Sequence, residues 1–179
     1  MLSRRDLLIL IVAIAGLTAS LVGLVAHFAE PAVDTSPAAS DTSALFASRF
    51  SDMQGRPQPM AQWRNQVLIV NFWATWCPPC RDEMPELAVL HDKYQAKGMA
   101  VLGISTEDAA KTQQFAREMP VSYPLLVAEM DPLSLAESLG NNQSALPYTL
   151  ILRRDGSVAA RYVGRIDPAT LERELRPLL

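Results

Sequence analysis

The sequence predicts an α/β domain, a mixed central sheet flanked by helices, preceded by an N-terminal transmembrane helix. Three observations carry this. Residues Leu7 to Phe28 contain no Asp, Glu, Lys or Arg. Two almost continuous apolar runs, Val67–Phe72 and Met99–Ile104, suit central strands covered on both faces. Stretches of helical spacing separate the strand-like segments, and the last two, Tyr148–Arg153 and Ser157–Val163, meet at Asp155-Gly156, a hairpin signal. Strand–helix alternation closed by a hairpin and a final helix implies helices layered on a mixed sheet.

The first 29 residues read as a signal-anchor. At about 1.5 Å per residue the uncharged stretch is long enough for a bilayer core of about 30 Å. Arg4 and Arg5 precede it, and Glu30, Asp34 and Asp41 follow it. The positive-inside bias therefore leaves the short amino terminus in the cytoplasm and sends the rest outside. A cleaved signal peptide competes with this reading, but its apolar region runs only about 7–15 residues and ends in small residues. Residues 30–42 are rich in Ala, Ser, Pro and acids, which cannot bury enough surface to fold, and form a flexible tether.

Residues 43–179 have the size of one domain. Phe46 to Gln58, with a turn at Gln54-Gly55-Arg56, reads as a hairpin, and Met60 to Arg64 as one helical turn. Pro78 to Lys97 reads as a helix with Leu87, Leu90 and Tyr94 inward and Asp82, Glu86 and Lys93 outward. Pro85 is expected to kink it and Gly98 to end it. A helix over Glu107–Met119, a strand over Leu125–Ala128 and a short helix over Pro132–Leu139 follow. Pro168–Leu178 closes the domain, with Pro168 in its first turn.

Net charge is −3, with no basic surface of the kind that binds nucleic acid. The two cysteines, Cys77 and Cys80, are too few for a disulfide framework and point to chemistry. They fall at the strand-to-helix junction, where ligands and chemistry gather in open α/β sheets. The unpaired N–H groups and partial positive charge of a helix start hold a Cys77 thiolate below the free pKa of about 8.5. Pro78 and Pro79 occupy positions whose N–H groups need no helical partner. Cys80, one turn on, can attack the Cys77 sulfur of a mixed disulfide and release the client. Trp76 offers an apolar surface beside the nucleophile. A purely structural disulfide across two residues closes too small a loop to stabilise much. A zinc site needs more ligands than these cysteines and His91 provide.

On these residues the chain resembles the TlpA/ResA-type thioredoxin-like proteins. The segment Val67–Pro85, VLIVNFWATWCPPCRDEMP, matches their active-site pattern, and Gly103-Ile104-Ser105, Leu146-Pro147 and Leu152–Gly156 fall where that family has its next strand, its cis-proline loop and its last hairpin. The resemblance implies a thioredoxin-like fold, a cis Leu146–Pro147 bond, and pairing of the Leu146 backbone with an extended client segment. It also implies that Glu83 tunes cysteine protonation, accepting the Cys80 proton. From the residues alone Glu83 is equally a solvated helix acid paired with an arginine. Asn71 stands where many thioredoxins have a buried Asp, and an amide cannot relay a proton.

The function expected is an extracytoplasmic thiol:disulfide oxidoreductase at the bacterial inner membrane, its domain in the periplasm. It reduces client disulfides, with cytochrome c or copper-site maturation among the uses, and takes electrons from a membrane thiol-transfer protein of the DsbD/CcdA kind. The Cys77–Cys80 pair is its redox group, and no further cofactor or metal is expected. A disulfide oxidase or isomerase, or a copper metallochaperone on the same fold, is the alternative; no His follows His91 to complete a copper site. A peroxidase usually needs a threonine and an arginine around one cysteine, which the local Trp-Cys-Pro-Pro-Cys does not match.

Overall fold

The computed structural model describes residues 42–179. The anchor predicted over 1–29 and the tether up to residue 41 lie outside them. Among the described residues no helix is long and apolar enough to cross a membrane.

The elements run α1 (Ser43–Ala47), β1 (Arg49–Ser51), β2 (Pro57–Pro59), a 3₁₀ turn (Met60–Trp63), β3 (Val67–Trp73), α2 (Pro78–Tyr94), β4 (Met99–Ser105), α3 (Ala109–Glu118), β5 (Leu125–Ala128), α4 (Pro132–Ser138), β6 (Tyr148–Leu152), β7 (Val158–Val163) and α5 (Pro168–Leu175). The seven strands form one sheet in the order β2-β1-β5-β4-β3-β6-β7. The pairs β3–β4 and β4–β5 are parallel; β3–β6, β6–β7, β1–β5 and β1–β2 are antiparallel.

β3 is buried at every residue, as an apolar run between two helical layers must be. Its alternation divides the core. Val67, Ile69 and Trp73 join Leu87 and Leu90 of α2, Phe115 of α3 and Leu171 of α5 on one face. Leu68, Val70 and Phe72 join Leu45 of α1, Met60 and Leu135 of α4 on the other. Burying each such Leu contributes about 1.5–3 kcal/mol. Gly103, opposite Asn71 in the parallel pair, is packed so closely that a Cβ would lie 2.8 Å from Leu125 and 3.1 Å from Tyr123.

The structure adds two things to the sequence reading. Residues 43–47 are helical, where the hairpin alone was expected; two buried side chains, Leu45 and Phe46, hold this single turn in place. Glu107 lies outside α3, because Asp108 caps the helix by accepting the Lys111 N–H. The helix after Cys77 continues through Pro85, which stays on its exposed side, to Tyr94; a 3₁₀ turn then ends at Gly98 with φ +78°.

Candidate active site

β3 ends at Trp73, and the chain turns through Ala74–Trp76 into α2. Cys77 is the N-cap of α2: its Sγ accepts the Cys80 N–H at 3.3 Å, and Pro78 and Pro79 fill the next two positions. The chain thus places sulfur 77 on the positive end of a 17-residue helix, the arrangement that stabilises a thiolate in the reduced state. Cys77 and Cys80 are joined in a disulfide with Cα atoms 5.3 Å apart. Cys80 is fully buried and Cys77 only 3% exposed, whereas Trp76 is 67% exposed. Trp76 and Pro78 are thus the outward surface at this point, with Pro79 half-buried.

Leu146–Pro147 is cis, as the resemblance implied. These residues lie 66 positions beyond Cys80, yet antiparallel pairing of Phe72 with Tyr148 brings the loop to the end of the sheet where β3 enters the active-site turn. Leu146 packs against the core cluster that contains both cysteines. The Gly164 N–H donates to the Pro147 carbonyl at 2.8 Å and fixes the loop to the end of β7.

Glu83 is buried, 3% exposed, and is no solvated helix acid. Its Oε1 accepts from Asn71 Nδ2 at 2.6 Å, and the Ile166 backbone N–H also donates to the carboxylate. Asn71 Nδ2 is shared with Thr149 Oγ1 at 2.9 Å. Burial pushes the Glu83 carboxyl up to about 7; the two donors and the Arg165 guanidinium oppose part of that rise, and the Glu86 carboxylate adds to it. Arg165 is itself held by Glu86 at 2.6 Å. A carboxyl poised near neutrality one turn after Cys80 can take the proton that Cys80 sheds when it attacks sulfur 77. Asn71, an interruption in an apolar strand and conspicuous for that in the sequence, positions this acid rather than relaying protons.

Sequence reasoning missed Glu107. Its Oε2 accepts the backbone N–H of Thr75 at 2.6 Å, and the neighbouring Thr106 N–H donates to the Trp73 carbonyl at 2.9 Å. The β4–α3 loop thereby clamps the turn that carries Trp76 and Cys77. The Glu107 side chain is 10% exposed, so its hydrogen bond to Thr75 is largely shielded from water. Glu107→Ala is expected to cost about 1–3 kcal/mol of stability, read as a lower denaturation midpoint, and Glu107→Gln, which keeps an acceptor, distinctly less. Equal midpoints for both variants and the parent chain would mean that the clamp adds nothing.

Among the described residues no three His, Cys, Asp or Glu side chains gather as metal ligands. His91 is buried with Nδ1 accepting the Val101 N–H at 3.2 Å, and burial lowers its pKa.

An N-capping disulfide, a cis-proline loop beside it and a buried acid on the same helix, all on a thioredoxin-like sheet, define a thiol–disulfide oxidoreductase acting on client proteins that carry disulfides. The chain belongs to the AhpC/TSA family, whose profile matches residues 37–161, and is similar to the ResA-type proteins within it. It is 27% identical over 130 residues to the thiol-disulfide oxidoreductase ResA of Geobacillus thermodenitrificans, covering 72% of each chain. Among solved structures it is similar to a secreted thiol-disulfide isomerase of Corynebacterium glutamicum (26% identity, TM-score 0.64, 73% of this chain and 81% of that one). A thioredoxin-family thiol:disulfide interchange protein of Chlorobium tepidum shares the fold (24%, TM-score 0.65, 74% and 94%).

Proposed function

We propose that this protein is a reductase of protein disulfides on the outer side of the bacterial inner membrane, held there by residues 1–29 through the tether of residues 30–42. The observation that carries the exchange chemistry is the buried Glu83 carboxyl one turn after Cys80, which serves proton transfer at that sulfur; the reductase direction is the reading that the resemblance to TlpA/ResA-type proteins favours. The Cys77 thiolate attacks a client disulfide, forming the mixed disulfide and expelling one client thiolate. Cys80 then gives up its proton toward Glu83 and attacks sulfur 77, and the second client sulfur leaves as a thiolate that takes up a proton. The client gains two electrons; of the two protons its thiols take up, one comes from Cys80 by way of Glu83 and the other from solvent, which received it when Cys77 ionised, and the Cys77–Cys80 disulfide is left to be reduced again.

The extracytoplasmic space is oxidising, so a reductase there needs an electron source. A membrane thiol-transfer protein of the DsbD/CcdA kind fits that need, and the tether raises the effective concentration of the domain near it. Clients whose cysteines must be reduced before receiving haem or copper fit the same chemistry; the named relative ResA supports the oxidoreductase part of this reading. Thiol trapping in cells with the donors intact is expected to find the pair mostly reduced. A pair that stays oxidised would turn the assignment to an oxidase or isomerase, the activity named for the Corynebacterium glutamicum structure.

A further inference from the structure

Helix capping gives this domain a charge polarity. α2 and α5 both start at the active-site end of the sheet and run toward the opposite pole, where Glu172 of α5 meets Lys93 of α2. Acids favour helix starts and cations favour helix ends. Accordingly Asp108, Asp131 and Asp167 cap α3, α4 and α5 near the active site, together with Glu107. The last turns of α2 and α5 and the loops at the far pole carry Lys93, Lys97, Arg176, Arg153, Arg154 and Arg64.

These six cations form one surface. Arg154 donates to the carbonyls of Lys97 at 2.8 Å, Asn65 at 3.3 Å and Leu179 at 3.4 Å, so it ties three chain segments together at the centre. Lys93, Lys97 and Arg176 line a single depression beside it. Arg64 lies over the Phe46 ring at 4.3 Å, and Phe46 packs on Gly156 next to Arg153–Asp155. The negative groups in these segments are Asp92, Asp155, Glu172 and Glu174, of which Glu172 is taken up by Lys93 and Arg176. Residues 42–179 as a whole hold 14 basic and 15 acidic residues, so the domain is nearly neutral and the excess at this pole is a matter of placement.

The chain enters at this same pole. Thr42, the first described residue, donates its hydroxyl to the Gly156 carbonyl at 2.8 Å. The proposed tether, residues 30–42, is only 13 residues long, so an anchor at residues 1–29 would hold this pole close to a bilayer. A surface tied so close to a bilayer spends much of its time within a few Debye lengths of the headgroups, each about 8–10 Å. Lys and Arg are attracted there by anionic lipid, and the acids at the other end are repelled.

We propose that the pole bearing Arg64, Lys93, Lys97, Arg153, Arg154 and Arg176 docks on anionic phospholipid headgroups. This rests on the reading of residues 1–29 as a membrane anchor.

The chain supplies its own probe. Its three lysines are Lys93 and Lys97 at the basic pole and Lys111 at the active-site end, the last with a side chain 65% exposed. The full-length protein is placed in nanodiscs of phosphatidylcholine alone or with phosphatidylglycerol, and lysine acetylation by a neutral reagent is followed by mass spectrometry. Lys97 and Lys93 are expected to react about threefold or more slowly, relative to Lys111, in the phosphatidylglycerol discs, since each cation near such a surface is held by about 1 kcal/mol. High salt and the Arg153→Glu/Arg176→Glu variant are expected to abolish the difference. Equal ratios in both lipids, with the chain resistant to alkaline carbonate extraction, overturn the docking while leaving the anchor standing. Protection that is salt-sensitive yet independent of lipid charge assigns the pole to a second copy of this chain and overturns the lipid assignment. A chain released from both bilayers by carbonate overturns the anchor reading and the proposal with it.

Discussion

A Cys80→Ser chain is expected to accumulate mixed disulfides between Cys77 and its clients, while a Cys77→Ser chain captures almost none. In the first variant the nucleophile at the helix N-terminus still attacks, but nothing resolves the product. In the second the remaining sulfur is fully buried and unable to meet a protein disulfide. Both variants lose turnover to the uncatalysed background. An ordinary thiol near pKa 8.5 is only about 3% ionised at pH 7, so a reduced Cys77 whose thiolate is stabilised by the helix start should be alkylated about tenfold faster than a free surface thiol. Mass spectrometry of the trapped adducts checks the first result and alkylation kinetics of the reduced domain the second. Equal capture by the two variants, or ordinary reactivity at Cys77, would remove the nucleophile assignment.

The second large effect belongs to Glu83. Its carboxyl titrates near 7 in the folded oxidised protein against about 4.5 in an unfolded chain. Below about pH 4.5 the group is protonated in both states and costs nothing. As pH rises from there to 7 the unfolded chain releases its proton first, so folded stability falls, and above 7 the loss is complete at about 3 kcal/mol. Asp52, Asp131, Asp155 and Glu172, held below their ordinary range chiefly by hydrogen bonds to their charged forms, act with the opposite sign: their stabilisation is lost as pH falls. Comparison with Glu83→Gln isolates the one group. The variant is expected to lack the decline between pH 4.5 and 7 in denaturant midpoints of the oxidised form. It should also release clients from the mixed disulfide about 10²-fold more slowly, because Cys80 has lost its proton acceptor. Parallel stability profiles for parent and variant would falsify the buried-acid assignment.

How much of this was legible before folding depends on the range of each interaction. Cys77, Pro78, Pro79 and Cys80 are local: one strand, one turn and one helix place them, and the spacing alone states what they can do. The Leu146–Pro147 loop was legible only through resemblance, since nothing local specifies that β6 lies beside β3. Glu83 stood undecided between a solvated acid and a proton acceptor. Its surroundings come from Asn71 on β3, Ile166 after β7 and Arg165 beside it, so no window of sequence contains them. Glu107 was hidden for the same reason, because its partner Thr75 lies 32 residues away. The helix at 43–47 is a single turn stabilised by its buried Leu45 and Phe46 rather than by propensity, and single turns carry no periodic signal.

By itself the sequence determined the layered α/β architecture, the redox pair and the direction from which it is presented, because apolar periodicity and helix-start electrostatics act over a few residues. Only the tertiary structure decided which acid is buried one turn after Cys80, which loop lies at the active-site end of the sheet and which pole gathers the cations. Those outcomes depend on desolvation and on long-range pairing, which exist only once distant segments exclude water together.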